Sequence, residues 1–346
     1  MGLFRKPAPA ETTPLAGVEL LLADLDGVVY RGRDALPYAV DSITRAQEST
    51  RVAYITNNAA RTAEAVAEQL TGFGLLVTPD EVVTSPQAAV TLLAELVPAG
   101  SLILVVGGEG LTAELDRAGF RVTRNADDEP AAVIQGFHPS VGWAELAEAS
   151  FALQRPGPAG LIPWVATNSD WSIPVERGIA PGNGTLVSAV HSAVGRLPIF
   201  AGKPERAIFD TALTRFGGGS ALVIGDRLDT DILGANRAEI PAALVLTGID
   251  GARQLFAAPV DQRPSFVLGD LRGLHESYPV PQHSPTGAGS EIRSGDAAVM
   301  LSGNRLGVTA SGPELDLVRA AAAAIWASPT PIYGLVLDDE LMGLAG

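Results

Sequence analysis

Four short runs of unbroken apolar residues recur along the chain: Leu20-Leu21-Leu22-Ala23, Val52-Ala53-Tyr54-Ile55, Ala221-Leu222-Val223-Ile224 and Ala242-Ala243-Leu244-Val245-Leu246. A strand with one wet face alternates apolar and polar residues, whereas a run without alternation suits a strand covered on both faces. Helical patterns over 38–47, 62–70 and 205–215 lie between the runs. Strand and helix in repetition predict an α/β fold built on a parallel sheet.

A second alternation sits inside the first. Between Thr84 and Arg196, the runs 102–106, 132–134 and 164–166 read as strands, with helices over 110–118 and 142–154. A segment with its own strands and helices, set between the halves of another sheet, reads as an inserted domain. The expected division is a discontinuous core over 18–83 and 197–279 with an α/β cap over 84–196. Pro281–Gly295 is rich in Pro, Gly and Ser and reads as a linker. It leads to a small ββαβ module over 296–346, with strands at 297–301 and 305–309, a helix at 314–327 and a last strand within 332–337. So few residues bury little apolar surface alone, so the module is expected to dock on the core or on a second subunit. That leaves a homodimer open.

Composition removes several classes of function. The formal net charge is −15 and no basic stripe runs along the chain, which argues against a nucleic-acid surface. Without cysteine there is neither a disulfide framework nor a thiol nucleophile. No uninterrupted apolar stretch approaches the length of a membrane span. Met1–Gly17 carries Arg5, Lys6 and three prolines, and has no apolar run of the kind a secretory leader needs. Lys6 stands where N-myristoylation wants Ser or Thr. A soluble, cytoplasmic protein is expected.

The residues with chemistry follow the apolar runs. Asp24-Leu25-Asp26-Gly27 comes directly after the first. Residues two apart on an extended backbone point the same way, roughly 6–7 Å apart, so both carboxylates can flank one phosphorus atom. One can attack while the other protonates the leaving oxygen and then activates water. Thr56-Asn57-Asn58 ends the second run and offers a hydroxyl and an amide to phosphate oxygens, although the same residues also serve as caps and turns. Gly202-Lys203-Pro204 follows the run Pro198–Ala201, and its lysine is a point charge suited to a phosphoryl group; proline suits the first turn of the helix beyond. Gly225-Asp226-Arg227-Leu228-Asp229-Thr230-Asp231 follows the third run, and its acids suit Mg²⁺, which prefers carboxylate and water oxygens. An acid-rich helix start would look the same. In an open parallel sheet all four clusters belong at the carboxyl edge, where ligands bind.

The order of these motifs resembles the haloacid dehalogenase superfamily of aspartyl phosphatases, over about residues 18 to 275. The large insertion between Thr56 and Lys203 resembles the subclass with the larger cap, and the tail resembles the actinobacterial-type glycerol-3-phosphate phosphatases within it. That resemblance implies a Rossmann-like core, a magnesium cofactor and a small phosphate ester as substrate. It implies Asp24 as nucleophile and metal ligand, and Asp26 as acid and base that also gives its carbonyl to the metal. Thr56, Asn57 and Lys203 would bind phosphate, Asp226 would ligate magnesium, and Asp231 would hold a metal-bound water or position Lys203. A second aspartate at position 26 favours a phosphatase over a dehalogenase. In the cap, Thr167-Asn168-Ser169-Asp170 would lie near the leaving group and Pro181-Gly182-Asn183-Gly184 in the loop returning to the core. The expected reaction is hydrolysis of glycerol 3-phosphate, with 2-phosphoglycolate or another small metabolite phosphate second. A phosphomutase would use the same motifs, and a regulatory binding protein acting through its tail is the non-enzymatic rival. His138, His191 and His275 have no spacing that suggests a metal site, and Trp171 is the candidate for stacking on a base.

Overall fold

The computed structural model describes residues 12–157, 160–175 and 177–344. The Arg5–Lys6 region falls outside them. The core sheet has six parallel strands in the order Phe266–Leu268, Ala242–Val245, Ala221–Gly225, Leu20–Ala23, Arg51–Thr56 and Val82–Thr84. Every residue of Leu20–Ala23, Ala221–Gly225 and Ala242–Val245 is buried, as unbroken apolar runs require. Helices Ala39–Gln47, Ala63–Gly72 and Arg206–Phe216 lie within a residue or two of their expected bounds. Thr62 caps the second by accepting from the Ala65 N–H at 3.2 Å.

The inserted segment forms its own five-stranded parallel sheet, ordered Ile199–Phe200, Trp164–Ala166, Ala132–Gln135, Leu102–Val106 and Arg121–Thr123. Ile199–Phe200 was expected at the start of the core's second half. It pairs instead with Val165 and Ala166, so the cap sheet reaches past 196. An apolar dipeptide carries no mark of which sheet it joins. The hairpin Ser172–Val175 with Gly178–Pro181 is a further cap element that the sequence did not disclose.

The tail departs most from expectation. Pro281–Gly295 is no linker: Gln282–Thr286 and Gly289–Ser294 are antiparallel strands. With Ala297–Ser302, Arg305–Ala310 and Val336–Leu337 they make one five-stranded sheet, so the module is ββββαβ and begins near Gln282. Pro285 is tolerated because Gln282–Thr286 is an exposed edge strand, where a missing donor breaks no interior ladder. Helix Glu314–Ala327 buries Ala320, Ala321, Ala322 and Ala324, whose small side chains let it lie close on its neighbours. It docks on the core: Trp326 Nε1 donates to the Leu255 carbonyl at 3.2 Å, and Arg319 Nε to the Val267 carbonyl at 2.9 Å. One buried apolar cluster runs from Val105 and Val165 in the cap through Leu20 and Leu244 to Val299 and Ile325 in the tail. Among the described residues, no helix is long and apolar enough to cross a membrane.

Candidate active site

Parallel strands deliver their last residues to one edge, and three of the four motifs arrive that way. Asp24 follows Leu20–Ala23, Thr56 ends Arg51–Thr56, and Asp226 follows Ala221–Gly225. Lys203 comes from the other side: its loop follows the cap strand Ile199–Phe200, and Gly202 N–H donates to the Thr167 carbonyl at 2.7 Å. Pro204 sits beyond a cis Lys203–Pro204 bond and ahead of the helix that starts at Arg206, not in its first turn.

The Lys203 ammonium is 3% exposed and donates to Asp24 Oδ1 and to Asp231 Oδ1, each at 2.6 Å. Asp231 is fully buried, and its other oxygen accepts from the Arg227 N–H at 3.1 Å. Burial alone would lower the lysine's proton affinity, but Asp231 and Asp24 overcome that and raise it, so the ammonium stays charged. Asp226 Oδ2 accepts from the Ile249 N–H at 2.7 Å. Two glycines make room for this carboxylate. A Cβ at Gly27, where φ is 81°, would stand 2.3 Å from Asp226 Oδ2, and one at Gly248 only 1.9 Å from it.

Asp24, Asp226 and Asp231 each present a carboxylate oxygen within 4.8 Å of the others. Lys203 bonds two of these three carboxylates, Asp24 and Asp231. Burial raises the Asp24 carboxyl well above the usual range, against the pull of Lys203 and with Asp231 and Asp226 adding to the rise. Burial and then Asp231 push Asp226 up to about 7. Such a site stores unbalanced negative charge that either protons or a hard cation can offset, and its donors are all oxygens. The residues present fit a small divalent cation. None of the chain's four histidines belongs to this cluster.

Above the cluster lies a cavity of about 720 Å³ lined by Asp24, Asp26, Thr56, Asn57, Lys203 and Asp226 on the core side. Asn168, Asp170, Ser172, Ile173 and Val175 close it from the cap. Asp26 is exposed into this space, and the partial burial it has there raises its carboxyl, against Lys203 and Arg61. Trp171 is exposed and does not line the cavity.

Two expected ligands are occupied with other work. Asn57 Oδ1 accepts from the Lys203 N–H at 2.8 Å, while its Nδ2 donates to the Lys203 carbonyl at 2.9 Å and to Asp170 Oδ1 at 3.1 Å. Asn168 Nδ2 donates to the Asn57 carbonyl at 2.7 Å, and its Oδ1 accepts from the Asp170 N–H at 3.2 Å. Neither side chain keeps an end for substrate. Asn183 extends the chain of amides by donating to the Asn168 carbonyl at 2.8 Å, and Ser85 Oγ donates to the Asn57 carbonyl at 2.8 Å. Arg227 and Arg31 also line the cavity and went unnoticed in the sequence. Each is pinned, Arg227 by a bidentate pair with Asp229 and Arg31 by the Thr247 carbonyl at 2.6 Å.

An aspartate at a strand end, a buried lysine against it and an acid triad under an inserted cap fit a phosphoryl-transfer core of the haloacid dehalogenase type. The chain belongs to that family: residues 21–121 match the haloacid dehalogenase-like hydrolases and residues 200–274 a second, HAD-hydrolase-like description. The unmatched stretch between them holds most of the cap sheet. Among relatives, the D-glycerol 3-phosphate phosphatase of Mycobacterium tuberculosis is 41% identical over 310 residues, 89% of this chain and 86% of that one. The glycerol-3-phosphate phosphatase of Gallus gallus is 38% identical over 257 residues, 68% of this chain and 81% of that one. The crystal structure of a Mycobacterium tuberculosis glycerol phosphate phosphatase in complex with magnesium superposes with a TM-score of 0.85 at 37% identity, covering 96% of this chain and 99% of that one. With so little of this chain left over, the likeness extends through the tail.

Proposed function

We propose that this chain is a magnesium-dependent phosphomonoesterase that converts glycerol 3-phosphate and water to glycerol and inorganic phosphate. The observation that carries the reading is the Lys203 ammonium held 2.6 Å from Asp24 at the floor of a cavity that Asp26 and Thr56 also face. The names of the relatives supply the substrate.

An Asp24 carboxylate oxygen attacks phosphorus and the P–O bond to glycerol breaks, with Asp26 giving its proton to the departing oxygen. Partial burial raises its carboxyl, the direction that suits an acid. Asp26, now a carboxylate, takes a proton from water as the water attacks the phospho-aspartate, which frees phosphate and restores Asp24. Lys203 and the Thr56 hydroxyl hold the phosphoryl oxygens. The backbone N–H of Asn57 is the further donor we assign, since its side chain is engaged elsewhere. Asp24, Asp226 and the Asp26 carbonyl would hold magnesium, whose charge offsets the repulsion between carboxylate and phosphate dianion. Asp231, bonded to Lys203, positions it.

The cap loop of Asn168 and Asp170 forms the leaving-group side. The relatives' names favour glycerol over the carboxylate-bearing 2-phosphoglycolate as the leaving group. A cysteine-free chain suits the reducing cytoplasm, where we place it. A homodimer would need some surface other than the tail helix, which is spent on the core; light scattering of the full chain reads the assembly. The deciding experiment is a phosphate-release screen over small esters with magnesium. Glycerol 3-phosphate should exceed 2-phosphoglycolate in kcat/KM, and release of a rearranged phosphate ester without free phosphate would make the protein a mutase instead.

A further inference from the structure

Asn57 is tied at once to the catalytic lysine and to the cap. Its one amide grips the Lys203 peptide from both sides and reaches Asp170 across 113 positions of sequence. Behind it the amides of Asn168 and Asn183 continue the stitch into the cap, carbonyl by carbonyl. The junction is closed at backbone contact. A Cβ at Gly202 would stand 2.4 Å from the Thr167 carbonyl oxygen and 2.5 Å from Asn57 Oδ1, and one at Gly182 would stand 2.2 Å from the Asp170 carbonyl oxygen. A lysine with two carboxylates to choose from can settle in more than one pose unless its backbone is fixed. The groups that fix it here belong to a core amide that is itself fixed by a cap carboxylate.

We propose that Asn57 and Asp170 form a latch that ties seating of the cap to placement of Lys203, and that Asp170 is a positioning residue rather than a selector of leaving groups. Asp170 then acts on the phosphoryl group through Asn57 and Lys203. Its loss should slow every phosphate ester alike, because Lys203 faces the phosphoryl group, which all esters share. A carboxylate that met glycerol directly would matter only for substrates with hydroxyls in its reach.

This inference rests on the phosphatase reading above, and two substrates keep the two apart. Glycerol 3-phosphate and an aryl phosphate, whose leaving group needs little protonation, are assayed with magnesium on the full chain. Asp170→Ala should lower kcat/KM for both by about ten- to hundredfold, the scale of a hydrogen bond to a charged group. The ratio between the substrates should stay within about threefold of the parent's. Asp170→Asn, which keeps an oxygen to accept from Asn57, should recover most of the loss. The exchanged pair, Asn57→Asp with Asp170→Asn, should be faster than Asn57→Asp alone, which sets two carboxylates face to face. Melting temperatures identify any variant that fails to fold, in which case the exchanged pair and Asp170→Asn decide. The latch is overturned if Asp170→Ala spares the aryl phosphate, if Asp170→Asn is no better than Asp170→Ala, or if exchange brings no recovery. Should the parent hydrolyse the aryl phosphate and ignore glycerol 3-phosphate, the substrate reading fails while the same variants still test the latch on the aryl ester.

Discussion

Lys203 at the core–cap junction and Arg319 in the tail are both buried cations, 3% and 8% exposed, and they are held in opposite ways. Lys203 spends its charge on two carboxylates beneath a cavity. Arg319 donates to the Val267 carbonyl and, at 3.1 Å, to Asp316, and its guanidinium lies 4.6 Å from the centre of the Tyr278 ring. A backbone carbonyl and a ring face are partners with nothing else to do. The partners of Lys203 are acids that a metal and a phosphoryl group also want. Burial of charge alone therefore says little about function; the second use open to the partners says more.

The largest expected effect comes from emptying that second use. Asp24→Asn keeps the shape of the site but cannot attack phosphorus, and kcat should fall by about a thousandfold or more. The protein should still fold, since the asparagine relieves crowding of like charge. A loss of less than tenfold in a phosphate-release assay would remove Asp24 from its role. Next in size is removal of metal. Chelation should abolish turnover and added magnesium restore it, while calcium, which takes six to eight ligands, should inhibit. Full activity after exhaustive chelation would mean that Lys203 alone balances the acid cluster.

Arg319 should behave in the other way. Arg319→Met keeps the apolar stem but strands Asp316 and the Val267 carbonyl, and should cost about 2–4 kcal/mol of stability. Turnover per folded molecule should stay at the parent's value, because no tail residue among the described residues lines the cavity. If urea unfolding is unchanged while kcat falls, the tail is coupled to the site and the contrast with Lys203 breaks.

How much of this was legible depends on what local sequence can encode. Four of the six core strands were readable because residues such as Leu21 and Leu222 lie in covered strands that form runs with no alternation, whereas the short strands Val82–Thr84 and Phe266–Leu268 carry too little pattern to stand out. Asp24, Asp226 and Lys203 were readable because each follows an apolar run. The bonds that the Asn57 and Asn168 side chains make to peptide groups were not legible, because an amide after a strand looks the same whether it faces a ligand or a peptide. Their partners lie more than 100 residues away, beyond any local pattern. The hairpin of Gln282–Thr286 and Gly289–Ser294 was missed because an exposed polar edge strand with a proline, followed by a Gly- and Ser-bearing partner, has the composition of a linker.

The smallest effect isolates burial itself. Arg272 repeats the partners of Arg319 at the surface: it pairs with Asp270 at 2.7 Å, and its guanidinium lies 3.7 Å from the centre of the Tyr38 ring. The Asp270 side chain also caps the turn Leu271–His275 by accepting from the Arg272 N–H at 2.9 Å. The Arg272 side chain, with further help from its backbone N–H, holds the Asp270 carboxyl below the usual range. A carboxylate depressed in the fold adds stability above its unfolded pKa and loses that contribution as pH falls through the lower, folded value. The Asp270 contribution should thus be intact at neutral pH and disappear only in strong acid. With half of the Arg272 side chain in water, Arg272→Ala should shift the unfolding midpoint far less than Arg319→Met, and salt should shrink that shift further. Urea titrations of both variants at low and high salt read the difference. Equal shifts at both positions, indifferent to salt, would mean that the set of partners rather than their exclusion from water decides what such an arginine contributes.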